Sequence, residues 1–333
     1  MGSIYSPANA LAGASIADAL TPPGAAPSLR LALACAGGAA ALAPDLDCLF
    51  ELGGKLSGWR HHRVALHSLP AVALLAVIGT TAALQTAAAA AGAARAAAVV
   101  VAALASHLVL DVVTSFGTAL LHPLTRRRFS TRSAFIVDPV VLGGLAAGLG
   151  TGHPGAGLAA VGALLGVGVA LRRRVLGQAR RSLARLGLFL EPGAEPAWLA
   201  PWRWLVIARA GDDYLVAPAT PVAVGTWQRA ASGLAELAAA RRHPLLAAFL
   251  DTCDFPRFER RAATLIVEDV KWWVALPLRP LAFAATLRDG AIVGEPRQSR
   301  LTDRGPAGPP EPAPLDALAG RAPHVRSVGI CIQ

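Results

Sequence analysis

Residues 96–121 read AAAVVVAALASHLVLDVVTSFGTALL. The run is long and apolar enough to cross a bilayer core, for which about 20 apolar residues suffice. Inside it stand one imidazole and one carboxylate, His107 and Asp111. Ionisable groups at membrane depth are costly and usually serve function. Four residues apart on a helix, the two lie on one side. Both could reach one ion, or Asp111 could orient His107 from behind.

Five more apolar segments surround this one, at 4–20, 29–44, 64–84, 136–150 and 156–171. Thr21-Pro22-Pro23-Gly24 breaks the first from the second, and Thr151-Gly152-His153-Pro154-Gly155 is a tight turn between the last two. The whole chain of 333 residues is 54% hydrophobic with a mean hydropathy of +0.49. Soluble globular proteins are usually less apolar. The reading is a mainly α membrane protein, with about six transmembrane helices in residues 1–174. No basic stretch and cleavage site of the signal-peptide kind opens the chain, so its apolar segments are expected to be retained. Cys35, Cys48, Cys253 and Cys331 show no metal-binding or disulfide spacing.

The net charge of +10 rests almost wholly on arginine, and its placement says more than its sum. Lys55, Arg60 and Arg63 occupy the loop at 45–63. Arg126, Arg127, Arg128 and Arg132 occupy 122–135, and Arg172 to Arg174 the exit after 171. With six spans these loops share one side, while the opposite side receives only Arg95. Positive-inside bias then puts both termini in the cytoplasm of a cell whose inner membrane the chain crosses several times. The charge is therefore read as a topology signal, and no nucleic-acid partner is expected.

Past residue 174 the pattern changes. Residues 175–190 read as a basic amphipathic linker helix on the membrane surface. Residues 191–295 read as a small cytosolic α+β domain. Its signals are a strand at Trp202 to Ile207, a turn at Gly211-Asp212-Asp213 and a return at Tyr214 to Ala217. A helical stretch at 229–251 follows, broken at His243-Pro244. A strand at Thr264 to Val270 and a hairpin turning at Arg288-Asp289-Gly290 complete it. Trp202, Trp204, Trp272 and Trp273 read as sheet core. Residues 296–333 are Pro-rich and polar, and read as a disordered tail.

Chemistry-bearing residues collect at the basic face. Asp45 and Asp47 end the second segment, His62 and His67 open the third, His107 and Asp111 close the fourth, and Asp138 opens the fifth. His62 and His67 would point about 140° apart on one continuous helix, so they converge only if His62 lies on the preceding loop. Asp45 and Asp47 diverge on a helix, which assigns one to an ion and the other to support. Imidazole with carboxylate suits zinc, manganese or iron better than calcium. Other readings attach to single residues. Asp138 before Pro139 is also a standard helix start, and His107 with Asp111 is also a possible interhelical hydrogen-bonded pair.

The chain resembles the bacterial membrane-bound metal-dependent hydrolases of the YdjM/YfhP type, also described as LexA-binding inner-membrane hydrolases. Pro44-Asp45-Leu46-Asp47, His62-Arg63 with His67-Ser68, and His107-Leu108-Val109-Leu110-Asp111 carry the resemblance. So do Thr114, Gly117-Thr118, Pro123, Arg128-Phe129-Ser130 and Asp138-Pro139. Two features depart from the family pattern. Asn9 stands four residues before Gly13 where the family has His, and Val64 and Leu66 replace Gly and Thr between His62 and His67. The resemblance implies a divalent transition metal, zinc or manganese, held by Asp45, Asp47, His62, His67, His107 and Asp111. Asp138 and Arg63 are then the expected catalytic groups. The expected reaction is hydrolysis of an ester or phosphoester of a lipid-type substrate, with Arg63 and Arg126 to Arg128 as phosphate partners. Intramembrane His and Asp would also suit a proton- or metal-coupled transporter, although no internal repeat is visible. A non-catalytic membrane scaffold is the third class.

Overall fold

The computed structural model describes residues 6–135, 139–197, 200–274 and 282–299. Each apolar segment forms a helix: α1 Ser6–Leu20, α2 Pro27–Leu42, α4 Leu69–Ala83, α5 Ala93–Val113, α6 Pro139–Gly150 and α7 Pro154–Arg185. A short helix α3, Lys55–His61, stands between α2 and α4. Proline sits in the first turn of α2, α4 and α7, where its missing N–H costs nothing. The Ser68 side chain caps α4 by accepting from the Ala71 N–H.

Among the described residues, three stretches are long and apolar enough to cross a membrane: Pro27–Gly53, Ala93–Val113 and Pro154–Arg185. The first is α2 continued by a 3₁₀ run, Ala43–Gly53. Helices α4 and α6 are apolar but shorter. At 1.5 Å per residue, the 15 residues of α4 reach about 22 Å, short of a core of about 30 Å. Of the six expected full spans, three are therefore long enough among the described residues. The rest of each predicted segment went elsewhere. Residues 62–68 and 114–121 leave their helices to build the loops at one end of the bundle.

Glycine brings α1 against α2. A Cβ on Gly13 would stand 2.2 Å from the Gly37 carbonyl oxygen, and one on Gly37 would stand 2.4 Å from that of Gly13. Helix α5 packs on this pair through one stripe, Ala96, Val99, Val100, Ala103, Leu104, His107, Leu108 and Asp111. The apolar stripe thus turns polar in its last turn while keeping its direction.

Two four-stranded antiparallel sheets follow, each in sequential order. The first is β1 Pro192–Ala197, β2 Ala200–Ala210, β3 Asp213–Ala219 and β4 Gln228–Ala231. The second is β5 Pro256–Arg261, β6 Thr264–Asp269, β7 Ala282–Arg288 and β8 Ala291–Gln298. Helices α8 Leu237–Arg242 and α9 Pro244–Leu250 lie between the sheets in sequence and break at His243-Pro244 as expected. The β7–β8 hairpin turns at Asp289 and Gly290, φ 51° and 73°, the left-handed pair a tight two-residue loop requires.

Several boundaries differ from the sequence expectation. Residues 229–231, expected to open a helix, belong to β4, because they complete the first sheet against β3. Strand β8 continues through Gln298, so residues 296–298 are sheet rather than tail; residues beyond 299 lie outside the described part. The stretch 175–190, expected as a separate surface helix, is the continuation of α7 as far as Arg185. Its apolar stripe, Val175, Ala179 and Leu183, packs on Trp204, Val206 and Leu215 of the first sheet rather than on lipid.

Candidate metal centre

Four side chains from three parts of the chain meet at the end of the bundle. Asp45 comes from the 3₁₀ run, His67 from the loop before α4, and His107 and Asp111 from the last turns of α5; all are buried. His67 Nε2 lies 3.2 Å from Asp111 Oδ2 and 3.8 Å from Asp45 Oδ1. His107 Nε2 lies 3.6 Å from Asp111 Oδ2 and 3.8 Å from Asp45 Oδ1. One ligand atom each from Asp45, His67 and His107 falls within 4.8 Å of the others.

These separations suit an ion better than they suit mutual hydrogen bonds. Ligands at 2.0–2.2 Å around a tetrahedral centre stand about 3.3–3.6 Å apart. His67 Nε2, His107 Nε2 and Asp111 Oδ2 are buried and find no aligned hydrogen-bond partner among the described residues. Buried polar atoms are nearly always satisfied. A cage of atoms that approach a common point without bonding one another fits a divalent cation with imidazole and carboxylate preference.

The surroundings hold the ligands in place. His107 Nδ1 stands 2.6 Å from the Ala41 carbonyl oxygen. That bond makes Nδ1 the donor and leaves the Nε2 lone pair facing the cage. Arg63 donates to Asp111 Oδ1 at 3.0 Å and to the Thr114 hydroxyl at 3.0 Å. Thr114 in turn donates to the Asp111 carbonyl at 2.8 Å. One carboxylate oxygen of Asp111 is thus tied back, and the other faces the cage.

The remaining expected residues take other places. Asp47 turns away from Asp45, as two positions on a tight helix must. It accepts from the Arg63 N–H at 2.6 Å and lies 3.4 Å from both His67 Nδ1 and His62 Nδ1. It therefore stands behind His67. His62 does sit on the loop, but its ring lies on the outer side of Asp47, 28% exposed, while His67 alone enters the cage. His61 stacks on Phe50 instead. Arg63 is 1% exposed and lies behind Asp111 rather than open to a substrate. Asp138 lies outside the described residues. Asn9, noted as a departure, is buried at this site, its Nδ2 donating to Asp45 Oδ2 at 3.4 Å.

A second polar group adjoins the first and was not foreseen. Ser115 donates to Glu195 at 2.5 Å, and Arg132 bridges Glu195 and Asp254. Lys271 pairs with Asp254 at 2.6 Å and Asp269 at 3.2 Å. The Phe116 ring lies between Arg63 and Lys271, 5.7 Å from each cation. The available signal was Lys271, one of only two lysines, set between acidic Glu268-Asp269 and Trp272-Trp273.

A family model described as YdjM inner membrane protein matches residues 8–178, the helical part that carries the cage. No curated protein and no solved structure matches the chain.

Proposed function

The chain belongs to the YdjM inner membrane protein family, and from that premise and the buried His–Asp cage we propose that it works as a metal-dependent hydrolase. Its substrate is an ester or phosphoester of a lipid-type molecule, taken at the cytoplasmic face. The carrying observation is the approach of Asp45, His67 and His107 ligand atoms to within 4.8 Å in a buried setting. Asp45, His67, His107 and Asp111 would hold a zinc or manganese ion there, which would supply Lewis acidity near neutral pH.

The chain's own residues do the rest. His67 and His107 present Nε2, and Asp45 and Asp111 present one oxygen each. Arg63 acts as a positioning residue, because its guanidinium holds Asp111 and Thr114. His62 is the member of the group that faces outward, so substrate approaches from its side. The cytoplasmic assignment rests on the arginines of residues 122–135 and 172–174. A reporter fused beyond α7 should be active only as a cytoplasmic fusion.

The test uses full-length protein in detergent. Bound zinc and manganese are measured for wild type, His107→Ala and His153→Ala, and phospholipids and isoprenoid phosphates are assayed with and without chelator. Wild type and His153→Ala should hold metal and release product, and His107→Ala should do neither, since exposed His153 lies in the turn before α7. Product formed equally with chelator would refute metal dependence. Metal firmly bound with no turnover on any lipid would refute the lipid substrate.

A further inference from the structure

Arg126, Arg127 and Arg128 follow one another, and the fold treats them differently. The first two are exposed, whereas Arg128 turns inward. A short pairing directs it: the Phe129 N–H donates to the Thr118 carbonyl at 2.9 Å, and the Thr118 N–H to that of Phe129 at 3.1 Å. Gly117, φ 62°, permits the approach, since a Cβ there would stand 2.4 Å from the Phe129 oxygen. Arg128 Nη2 then donates to the His62 carbonyl at 2.8 Å, on the outward-facing side of the cage.

Its other arm is left over. Nη1 is buried and finds no hydrogen-bond partner among the described residues. The acidic groups that act on Arg128 are Asp111, Asp254 and Asp47, with Arg63 as the neighbouring cation. Each of those carboxylates is engaged elsewhere. Asp111 is held by Arg63 through Oδ1 and turns Oδ2 to the imidazoles of the cage, Asp254 is held by Lys271 and Arg132, and Asp47 by the Arg63 N–H and His62. Burial, with Arg63 close by, pushes the guanidinium down to about 10, so it stays charged at neutral pH. A buried cation with a donor to spare and every nearby carboxylate engaged calls for an anion from outside.

We propose that Arg128 is the phosphate-binding residue of this site, its Nη1 donating to a phosphoryl oxygen of the substrate while Nη2 stays anchored on the His62 carbonyl. The proposal rests on the hydrolase reading and narrows its substrate to a phosphoester. Arg126 and Arg127, exposed on the same loop, have no part in it.

The experiment is calorimetric titration of full-length protein in detergent, loaded with zinc or manganese. Inorganic phosphate is one probe, and phosphatidic acid in mixed micelles is the other. Arg128→Met should keep wild-type metal stoichiometry and lose phosphate affinity by about tenfold or more. Arg128→Lys should recover part of it, and Arg127→Met should match wild type. Tighter binding of phosphatidic acid than of phosphate identifies a lipid headgroup as the source, and equal binding a free phosphate. Unchanged affinity in Arg128→Met, equal loss in Arg127→Met, or loss of metal from Arg128→Met would each overturn the proposal. Metal-free wild type that still binds phosphate through Arg128 would sink the hydrolase reading alone.

Discussion

Arg63 adopts φ 56°, a left-handed conformation that a non-glycine residue takes at a cost of about 1 kcal/mol or more. The residue is held there from every side. Its N–H donates to Asp47, its carbonyl accepts from the Ala119 N–H at 3.1 Å, and its guanidinium holds Asp111 and Thr114. One strained residue thereby ties the carboxylate behind His67 to the carboxylate inside the cage. Asn9 is the other position whose chemistry is local. The resemblance leads one to expect His there, and here the amide reaches Asp45 from α1. Asn9→His should add an imidazole beside the cage and tighten metal binding about tenfold, roughly 1.4 kcal/mol. Competition against a chromophoric chelator measures this. Unchanged affinity would put residue 9 beyond reach of the ion.

At the scale of elements, the cage exists because helix ends stop where they do. Helix α5 ends at Val113, and Thr114 turns extended with its hydroxyl on the Asp111 carbonyl. Had the helix run on to residue 121, as the apolar pattern invites, the loop that carries Phe116 and Gly117 would not fold back. Helix α4 starts only at Leu69, because Ser68 caps it and Pro70 opens it, which frees His67 to face α5. The α1–α2 contact supports this from below. Ala41, whose carbonyl orients His107, also lies against Gly13, 2.7 Å from where a Cβ would stand. Gly13→Val should separate the two helices, lower the apparent Tm in detergent by several degrees and weaken metal binding at once. Gly143→Ala, whose Cβ would meet nothing within 4 Å, should leave both unchanged. Equal behaviour of the two variants would show that the α1–α2 crossing does not support the site.

At the scale of the whole molecule, the β domain is fastened to the helical bundle by buried charge and by packing. Leu56 of α3 packs on the core of the second sheet, and α7 runs from the bundle onto the first. Between them lies the network of Ser115, Arg132, Glu195, Asp254, Asp269 and Lys271, capped by the Phe116 and Trp272 rings 5.0 Å apart. Lys271→Met would leave Asp269 buried without its cation. The expected loss is about 3 kcal/mol, the lower end for a broken buried pair, since Asp254 keeps 32% side-chain exposure. Burial raises the Asp254 pKa, but Lys271 and Arg132 outweigh it and hold the carboxyl below its ordinary 3.8. A depressed carboxylate contributes stability above its unfolded pKa and loses it as pH falls through the folded one. Acid should therefore weaken the wild-type junction below about pH 4, and Asp254→Asn should flatten that dependence. Tryptophan fluorescence during denaturation follows both, and wild-type stability in Lys271→Met would show the network to be without weight.

The amino-acid sequence by itself determined the membrane class, the apolar helices and the small set of His and Asp residues from which the buried cage is drawn. Apolar runs and costly intramembrane His and Asp are local signals that need no fold to be read. It also separated Asp45 from Asp47 in role, because two positions on a tight helix cannot face one way. Which of them faces the cage, that His67 rather than His62 enters it, and that Arg63 backs Asp111 were decided only by the tertiary structure. So was the inward turn of Arg128 among three identical neighbours. Each of those outcomes depends on partners 15 to 66 residues away, such as Asp47 for His62 and Ala41 for His107. Contacts at that range are set by how helices cross and where loops return, and no local period records them.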